Sequence, residues 1–460
     1  MNRSISRAPY LALRHADYRR LIVSQFFSLV GSQMQVVAIN WHVYLLTRSP
    51  LALGFVGLTR VVPIIIFSLW GGLVADRYDR RRVMITTQLG MTAVALALAV
   101  FTWTRHETLW LLYALNLLSA AAVAFDGPSR QALIPRLVPP EDLAGALSLN
   151  LSVFQAALIG GPALAGLIIA GHTGPLHTGA AQLTPQGAPL HTAGLALIYF
   201  LNALSFFAVI FALATMKTSG APEPGAEDQH PWKAVREGLH FVFTTPLMVW
   251  TMGLDFLATF FSGATSLLPI FADQILKVGA KGYGILVAAP AIGALAGSIF
   301  VSIRPLPARQ GRVFLVAVAA YGAATAVFGL SRSFFLTMIA LAATGLADAI
   351  STVIRQTLRQ LITPDRLRGR MTSVNMIFFM GGPQLGELEA GLVASLFAST
   401  VVGVTVSVVS GGVLTVAIAA LIGARAKSLV RYDFRDHAAA LPAFPVKEPT
   451  PGRAGTPIGP

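Results

Sequence analysis

The stretch "GGLVADRYDRRR", Gly71 to Arg82, sets two aspartates and four arginines directly behind a helix-length apolar run. Charge that dense at the end of such a run marks the edge of a hydrocarbon layer. The rest of the chain agrees. Of its 460 residues 55% are hydrophobic and 12% charged, where soluble domains carry about 25% charged residues. Apolar runs of about 20 residues, the length that crosses a bilayer, recur along nearly the whole sequence. The fold expected is an all-α polytopic membrane protein, because runs this long and uniformly apolar are helices rather than barrel strands.

Twelve spans are predicted, near 20–46, 51–75, 83–104, 108–134, 143–170, 192–215, 246–275, 283–303, 312–331, 334–361, 371–396 and 399–424. Of the 34 Lys and Arg, 28 fall in the tails and the loops after even-numbered spans. Five (Arg48, Arg105, Lys277, Lys281, Arg332) fall in the other loops, and Arg60 lies within span two. Positive residues concentrate in the cytoplasm, so both termini are expected inside. The net charge of +14 is therefore an orientation signal, and no nucleic-acid partner is expected. With no cysteine there are no disulfides. The first 20 residues lack an apolar core and do not read as a cleavable signal peptide.

The longest polar insertion between spans, Lys217–Gly238, reads as a flexible linker ending in a short amphipathic helix, "PWKAVREGLHFVF". The predicted organisation is a six-helix bundle over 1–216, a linker over 217–245, a second bundle over 246–426 and a disordered cytoplasmic tail over 427–460. The halves align. Arg130, Gln131, Leu143, Gly145 and Asn150 match Arg355, Gln356, Leu367, Gly369 and Asn375, and "GGP" at 160–162 recurs at 381–383. Repeats of like orientation are the arrangement of two-bundle transporters.

Six plus six spans with this loop motif resemble the major facilitator superfamily, whose motif reads Gly-x-x-x-Asp-Arg-x-Gly-Arg-Arg. Gly72, Asp76, Arg77, Arg80 and Arg81 match, and Asp79 stands where glycine is usual. The stretches 124–143, 254–276 and 381–394 resemble the enterobactin-exporter-like branch of drug:proton antiporters. The resemblance implies a gating loop in which Asp76 faces the start of span eleven near Met371. Gly72 would let a helix pack close, the arginines would pair with Asp76 and lipid headgroups, and Asp79 would add a second carboxylate. The span-five glycine motif is only partly present in "GGPALAG" (160–166), and the branch's usual span-four arginine is absent, Asn116 being the polar residue there.

Charge at mid-membrane costs about 2.5–3.5 kcal/mol on insertion scales, so Asp255, Glu387, Glu389 and Arg60 are candidates for proton coupling or substrate contact. Glu387 and Glu389 lie about 200° apart on a helix, and one at most faces a central cavity. Arg60 is expected as a counter-ion to one of these acids, and His42 as a hydrogen-bonded residue. Asp126, Arg130, Asp348 and Arg355 are read as an interdomain charge network on the cytoplasmic side. Phe256, Phe260, Phe261, Phe378 and Phe379 are candidates to line the cavity. His172, His177 and His191, on the outside loop 171–192, come with no acid or cysteine, so no metal site or cofactor is expected. No enzymatic cluster or phosphate loop is present.

The function read from these features is proton-coupled efflux of a small hydrophobic or amphipathic solute, a drug or siderophore. The protein would act as a monomer in the bacterial inner membrane, with the solute, protons and the lipid bilayer as partners. The alternatives are an importer or facilitated carrier, or a non-transporting receptor or scaffold.

Overall fold

The computed structural model describes residues 9–172, 192–221, 231–304, 308–364 and 368–434. His177, His191 and most of the 171–192 loop lie outside them.

Twelve long helical segments run antiparallel through the fold. They are α1 (Ala16–Thr47), α2 (Pro50–Arg77), α3 (Arg80–Trp103), α4 (Leu109–Leu133), α5 (Pro140–Gly171) and α6 (Ala193–Ala214), then α7 (Pro246–Phe261), α8 (Gly279–Ile303), α9 (Gln310–Leu330), α10 (Phe334–Ile362), α11 (Arg368–Ser395) and α12 (Thr400–Arg425). Among the described residues eleven of these passages are long and apolar enough to cross a bilayer, α7 only together with its continuation to Ile275. The other, α11, has 28 residues and carries Gln384, Glu387 and Glu389 along its length. Large apolar side chains such as Trp110, Phe211, Ile303 and Val316 stand exposed on the outside, where lipid is the only comfortable solvent.

Local chemistry fixes the helix starts. Ser49, Thr108 and Ser399 cap α2, α4 and α12 through their hydroxyls. Asp79 caps α3, accepting from the Arg81 and Arg82 amides at 2.9 and 3.3 Å. The expected second latch carboxylate is thus a helix cap, because its side chain turns back onto the orphan amides of the first turn.

The span predicted at 246–275 is one continuous passage but not one helix. It breaks after Phe261, passes a short turn at Thr265–Leu267 and ends in a π-turn at Phe271–Ile275. Gly263 marks the break by packing against the Pro383 carbonyl and Gly386 Cα, closer than a Cβ would allow.

Helices α1–α6 form one six-helix bundle and α7–α12 a second. The same neighbour pattern repeats in both: α2 on α4 as α8 on α10, and α3 on α6 as α9 on α12. The bundles meet along two symmetry-related seams, α2 against α11 and α5 against α8. The expected amphipathic helix is present at Pro231–Thr244. The start of the tail corrects an expectation. Rather than disordered, Lys427–Arg431 is a helical turn with Leu429 buried, and Phe434 N donates to Gln310 Oε1 at 2.8 Å. The turn is held because Gly311 of α9 leaves room for the Leu429 carbonyl.

Candidate functional site

The two ends of the bundle pair differ. At the end carrying Arg48, a single hydrophobic core runs through both bundles, joining Val37, Leu53 and Tyr199 to Leu267, Phe271, Leu286 and Val404. At the end carrying Arg81 the cores are separate, one around Tyr18, Met84 and Leu213 and others around Phe314, Ile354 and Met371. The molecule is closed at the Arg48 end.

Glycine makes the closure tight. A Cβ at Gly54 would lie 2.8 Å from the Glu387 carbonyl, and one at Gly391 2.6 Å from the Pro50 carbonyl. On the other seam a Cβ at Gly284 would lie 2.4 Å from the Pro162 carbonyl. Close backbone approach is how small residues join membrane helices. Gly161-Pro162 of the faint span-five motif therefore sits at a working contact. Polar groups seal the rim. Tyr44 Oη donates to Asp273 Oδ2 at 2.5 Å, Arg48 Nη1 reaches the same oxygen at 2.6 Å, and Trp41 stacks on Tyr283 at 5.3 Å.

Directly behind this seal sit two of the intramembrane candidates. Glu387 is buried, accepts from Thr265 Oγ1 at 3.1 Å and leaves its Oε2 without a hydrogen bond among the described residues. That Oε2 lies 2.8 Å from where a Gly57 Cβ would be. The Arg60 guanidinium, one turn further along α2, acts electrostatically on Glu387 and Tyr283, and its Nη2 is also unpartnered. Arg60 is therefore beside Glu387 rather than Asp255, and no ion pair within 4 Å joins them among the described residues. Glu389, on the opposite helix face, is only half-buried.

Asp255 finds its partner in an arginine other than Arg60. It ion-pairs with Arg355 of α10, which also reaches Asp348 Oδ1 at 3.3 Å. Asp255, Thr259, Thr265, Tyr321, Asp348 and Arg355 help line a cavity of about 230 Å³ inside the second bundle. Phe379 lines it as well, while Phe256 stacks on Phe260 and meets Phe378 edge-on. In the first bundle Asp126 pairs with Arg130 and accepts from Thr87 and Gln88 of α3 at 3.2 and 3.1 Å. Among the described residues the four residues read as an interdomain network thus form two networks, one in each bundle. Helix spacing explains part of this, since an acid four or seven residues before an arginine shares its face; Arg355 also meets Asp255 because α10 packs against α7.

The gating loop is also corrected in part. Gly71 is the close contact, its Cβ position 2.2 Å from the Ala124 carbonyl, while Gly72 has nothing within 4 Å. Successive helical residues point about 100° apart, and α4 covers only the Gly71 direction. Arg81 donates to the Met216 and Ala214 carbonyls at 2.8 Å, capping the end of α6 in its own bundle. Arg77 and Arg80 have further partners; the Asp76 side chain lies outside the described residues. Asn116 of α4 donates to Thr59 Oγ1 at 2.7 Å, a helix-pairing role.

Two acids were missed by the sequence reading. Asp273 sits in the π-turn that ends the span predicted at 246–275, and Glu107 in the short loop before α4, two places where an acid looks like ordinary solvated polarity. The available signal was scarcity: the chain has only 20 Asp and Glu.

Two pseudo-symmetric six-helix bundles, sealed at one end around buried charges, define a membrane transporter of the major facilitator type. The chain belongs to the transmembrane secretion effector family, whose model matches residues 7–185 and 184–450. It is 24% identical over 377 residues to the enterobactin exporter EntS of Shigella boydii serotype 18 (strain CDC 3083-94 / BS512), covering 82% of this chain and 85% of that one. EntS of Escherichia coli O81 (strain ED1a) matches to the same extent. Among solved structures, a bacterial homolog of the human lysosomal transporter Spinster, inward-facing and occupied, superposes with TM-score 0.69 at 16% identity over 91% of this chain and 99% of that chain. An inward-facing bacterial homologue of the iron transporter ferroportin gives 0.61 at 16% identity over 88% and 98%.

Proposed function

We propose that this protein exports a small hydrophobic or amphipathic solute across the bacterial inner membrane in exchange for protons. Bundles 1–216 and 246–426 would rock about the site between them, tethered by the 217–245 linker, in a monomer. With both termini in the cytoplasm, as the charge distribution supports, the closed Arg48 end faces outward and the structure is an inward-open state. When the Arg81 end closes, α11 fills the open space beside Gly72, and Asp76 latches onto its N-terminus, where the helix dipole favours a carboxylate.

The observation that carries proton coupling is Glu387: a carboxylate buried on the seam between the bundles, with one oxygen unpartnered. Whether it is charged changes the cost of burying it there, so protonation and seam closure are linked. The cavity holding Asp255, Arg355 and Asp348 is the proposed solute subsite. The likeness to enterobactin exporters makes a siderophore the first cargo to test.

The test is solute uptake into inside-out vesicles with an acidic lumen, using a panel of catecholate siderophores and lipophilic drugs. Accumulation that collapses with the pH gradient, and is lost in Glu387→Gln, is the expected result. Uptake by intact cells driven by external acid would instead make the protein an importer.

A further inference from the structure

Between α1, α6 and the loop joining α3 to α4 lies a polar cluster that the transport reading does not use. His42 of α1 is fully buried, and its Nδ1 lies 3.2 Å from the Tyr199 hydroxyl of α6, the two rings stacked at 6.2 Å. Its Nε2 faces Glu107 Oε1 across 3.9 Å, and the Glu107 side chain is only 5% exposed although it springs from a surface loop. Neither His42 Nε2 nor Glu107 Oε2 has a hydrogen-bond partner among the described residues. The other charged groups acting on Glu107 are Arg105 and His106 of its own loop, both exposed. From α6, Tyr199 faces the pair.

We infer that His42 and Glu107 form a second proton-binding site, in the first bundle, that takes up one shared proton from the side bearing Arg48. Deprotonated, the pair is a buried net negative charge acted on, among the described residues, by the exposed Arg105 and His106 of its own loop and by no buried cation, an expensive arrangement. One added proton makes it neutral, either as carboxylic acid and imidazole or as an imidazolium–carboxylate pair. The proton therefore belongs to the pair, not to either residue. Burial alone already pushes the Glu107 carboxyl above its usual range. The gap of 3.9 Å leaves room for the pair to contract into a hydrogen bond once protonated.

The location gives the site a use. His42 directly follows Trp41, which stacks on Tyr283, and precedes by two residues Tyr44, which bonds Asp273. Contraction of the Glu107 loop onto α1 would act on the segment that seals the two bundles. With the termini inside, the pair samples external pH, so outside acid reaches the outer gate without passing through Glu387. That use rests on the proton-coupled reading above; the existence of the site does not.

The test counts protons on the purified full-length protein in detergent, with no solute and no gradient, so it is independent of whether transport is proton-driven. An indicator dye follows uptake as the sample is taken from about pH 9 to about pH 5.5, the window in which a histidine–carboxylate pair titrates. Glu107→Gln is expected to take up one proton fewer per chain than the wild type. His42→Gln should keep that proton but with its midpoint lowered by at least about one pH unit, a tenfold loss of affinity. Glu107→Asp, which retains a carboxyl, should keep the wild-type count, and it carries the test if Glu107→Gln fails to fold. An unchanged count in Glu107→Gln, loss of the proton in a folded Glu107→Asp, or an unmoved midpoint in His42→Gln overturns the proposal.

Discussion

Arg48 and Asp273, one from each bundle and 225 positions apart in the chain, meet at 2.6 Å on the rim of the closed end, with the Tyr44 hydroxyl on the same carboxylate oxygen at 2.5 Å. Arg48 is about half exposed, so its share is that of a surface ion pair, about 0.2–1 kcal/mol. The tyrosine hydrogen bond adds about 0.5–1.5 kcal/mol. Asp273→Asn should therefore raise the fraction open at this end by roughly three- to seventyfold. The chain has no cysteine, so a single cysteine placed at Ala280, buried where α8 meets Gly166 of α5, reports opening through its labelling rate by a membrane-impermeant maleimide. A rate unaffected by Asp273→Asn would mean that the glycine seams alone hold the closure.

Gly71 and Gly72 are neighbours with opposite surroundings. Valine at 71 must push into the Ala124 carbonyl, so Gly71→Val should lower the thermal midpoint and the yield of folded protein, as overpacking costs about 1–3 kcal/mol. Gly72→Val meets open space and should fold as well as the wild type. If α11 closes over Gly72 in the opposite state, Gly72→Val will cut transport at least tenfold while leaving stability intact. Wild-type transport in this variant would remove Gly72 from the gate.

The Asp255–Arg355 pair is largely buried, both side chains being under 15% exposed. Removing one partner of such a pair costs about 3–5 kcal/mol, mostly by stranding the other charge. Asp255→Asn should lower the thermal midpoint in detergent, and Asp255→Asn with Arg355→Gln should recover most of the loss. Additive destabilisation in a double-mutant cycle would show that the two residues do not act as a pair.

Glu387 and Glu389 separate by position. Glu387→Gln should abolish the pH dependence of export while preserving expression. Glu389→Gln, off the seam and half-buried, should retain more than half of the wild-type rate with an unchanged pH profile. Paired vesicle assays at several lumenal pH values decide this, and the reverse pattern would assign coupling to Glu389.

What the amino-acid sequence determined by itself was whatever depends on counting and local period. The twelve segments follow from the length of hydrocarbon a helix must cross, and the surface helix at Pro231–Thr244 from its amphipathic pattern. Arg48 and Arg81 at opposite ends follow from alternation. Even the candidates Glu387, Arg60 and Asp255 needed only the rule that charge within a span is costly. Partners were another matter. Arg355 was read into an interdomain network with Asp126, Arg130 and Asp348, and only packing of α10 on α7 delivered Asp255. Asp273 and Glu107 looked solvated until the bundles closed around them. The motif spacing pointed to Gly72, whereas α4 lies on the side of Gly71 and makes that glycine the close contact. The physical reason is common to all of these. Hydropathy is a property of a residue in its own segment, whereas a charge's partner or a glycine's neighbour belongs to another helix, and no period in the chain encodes which helix that is.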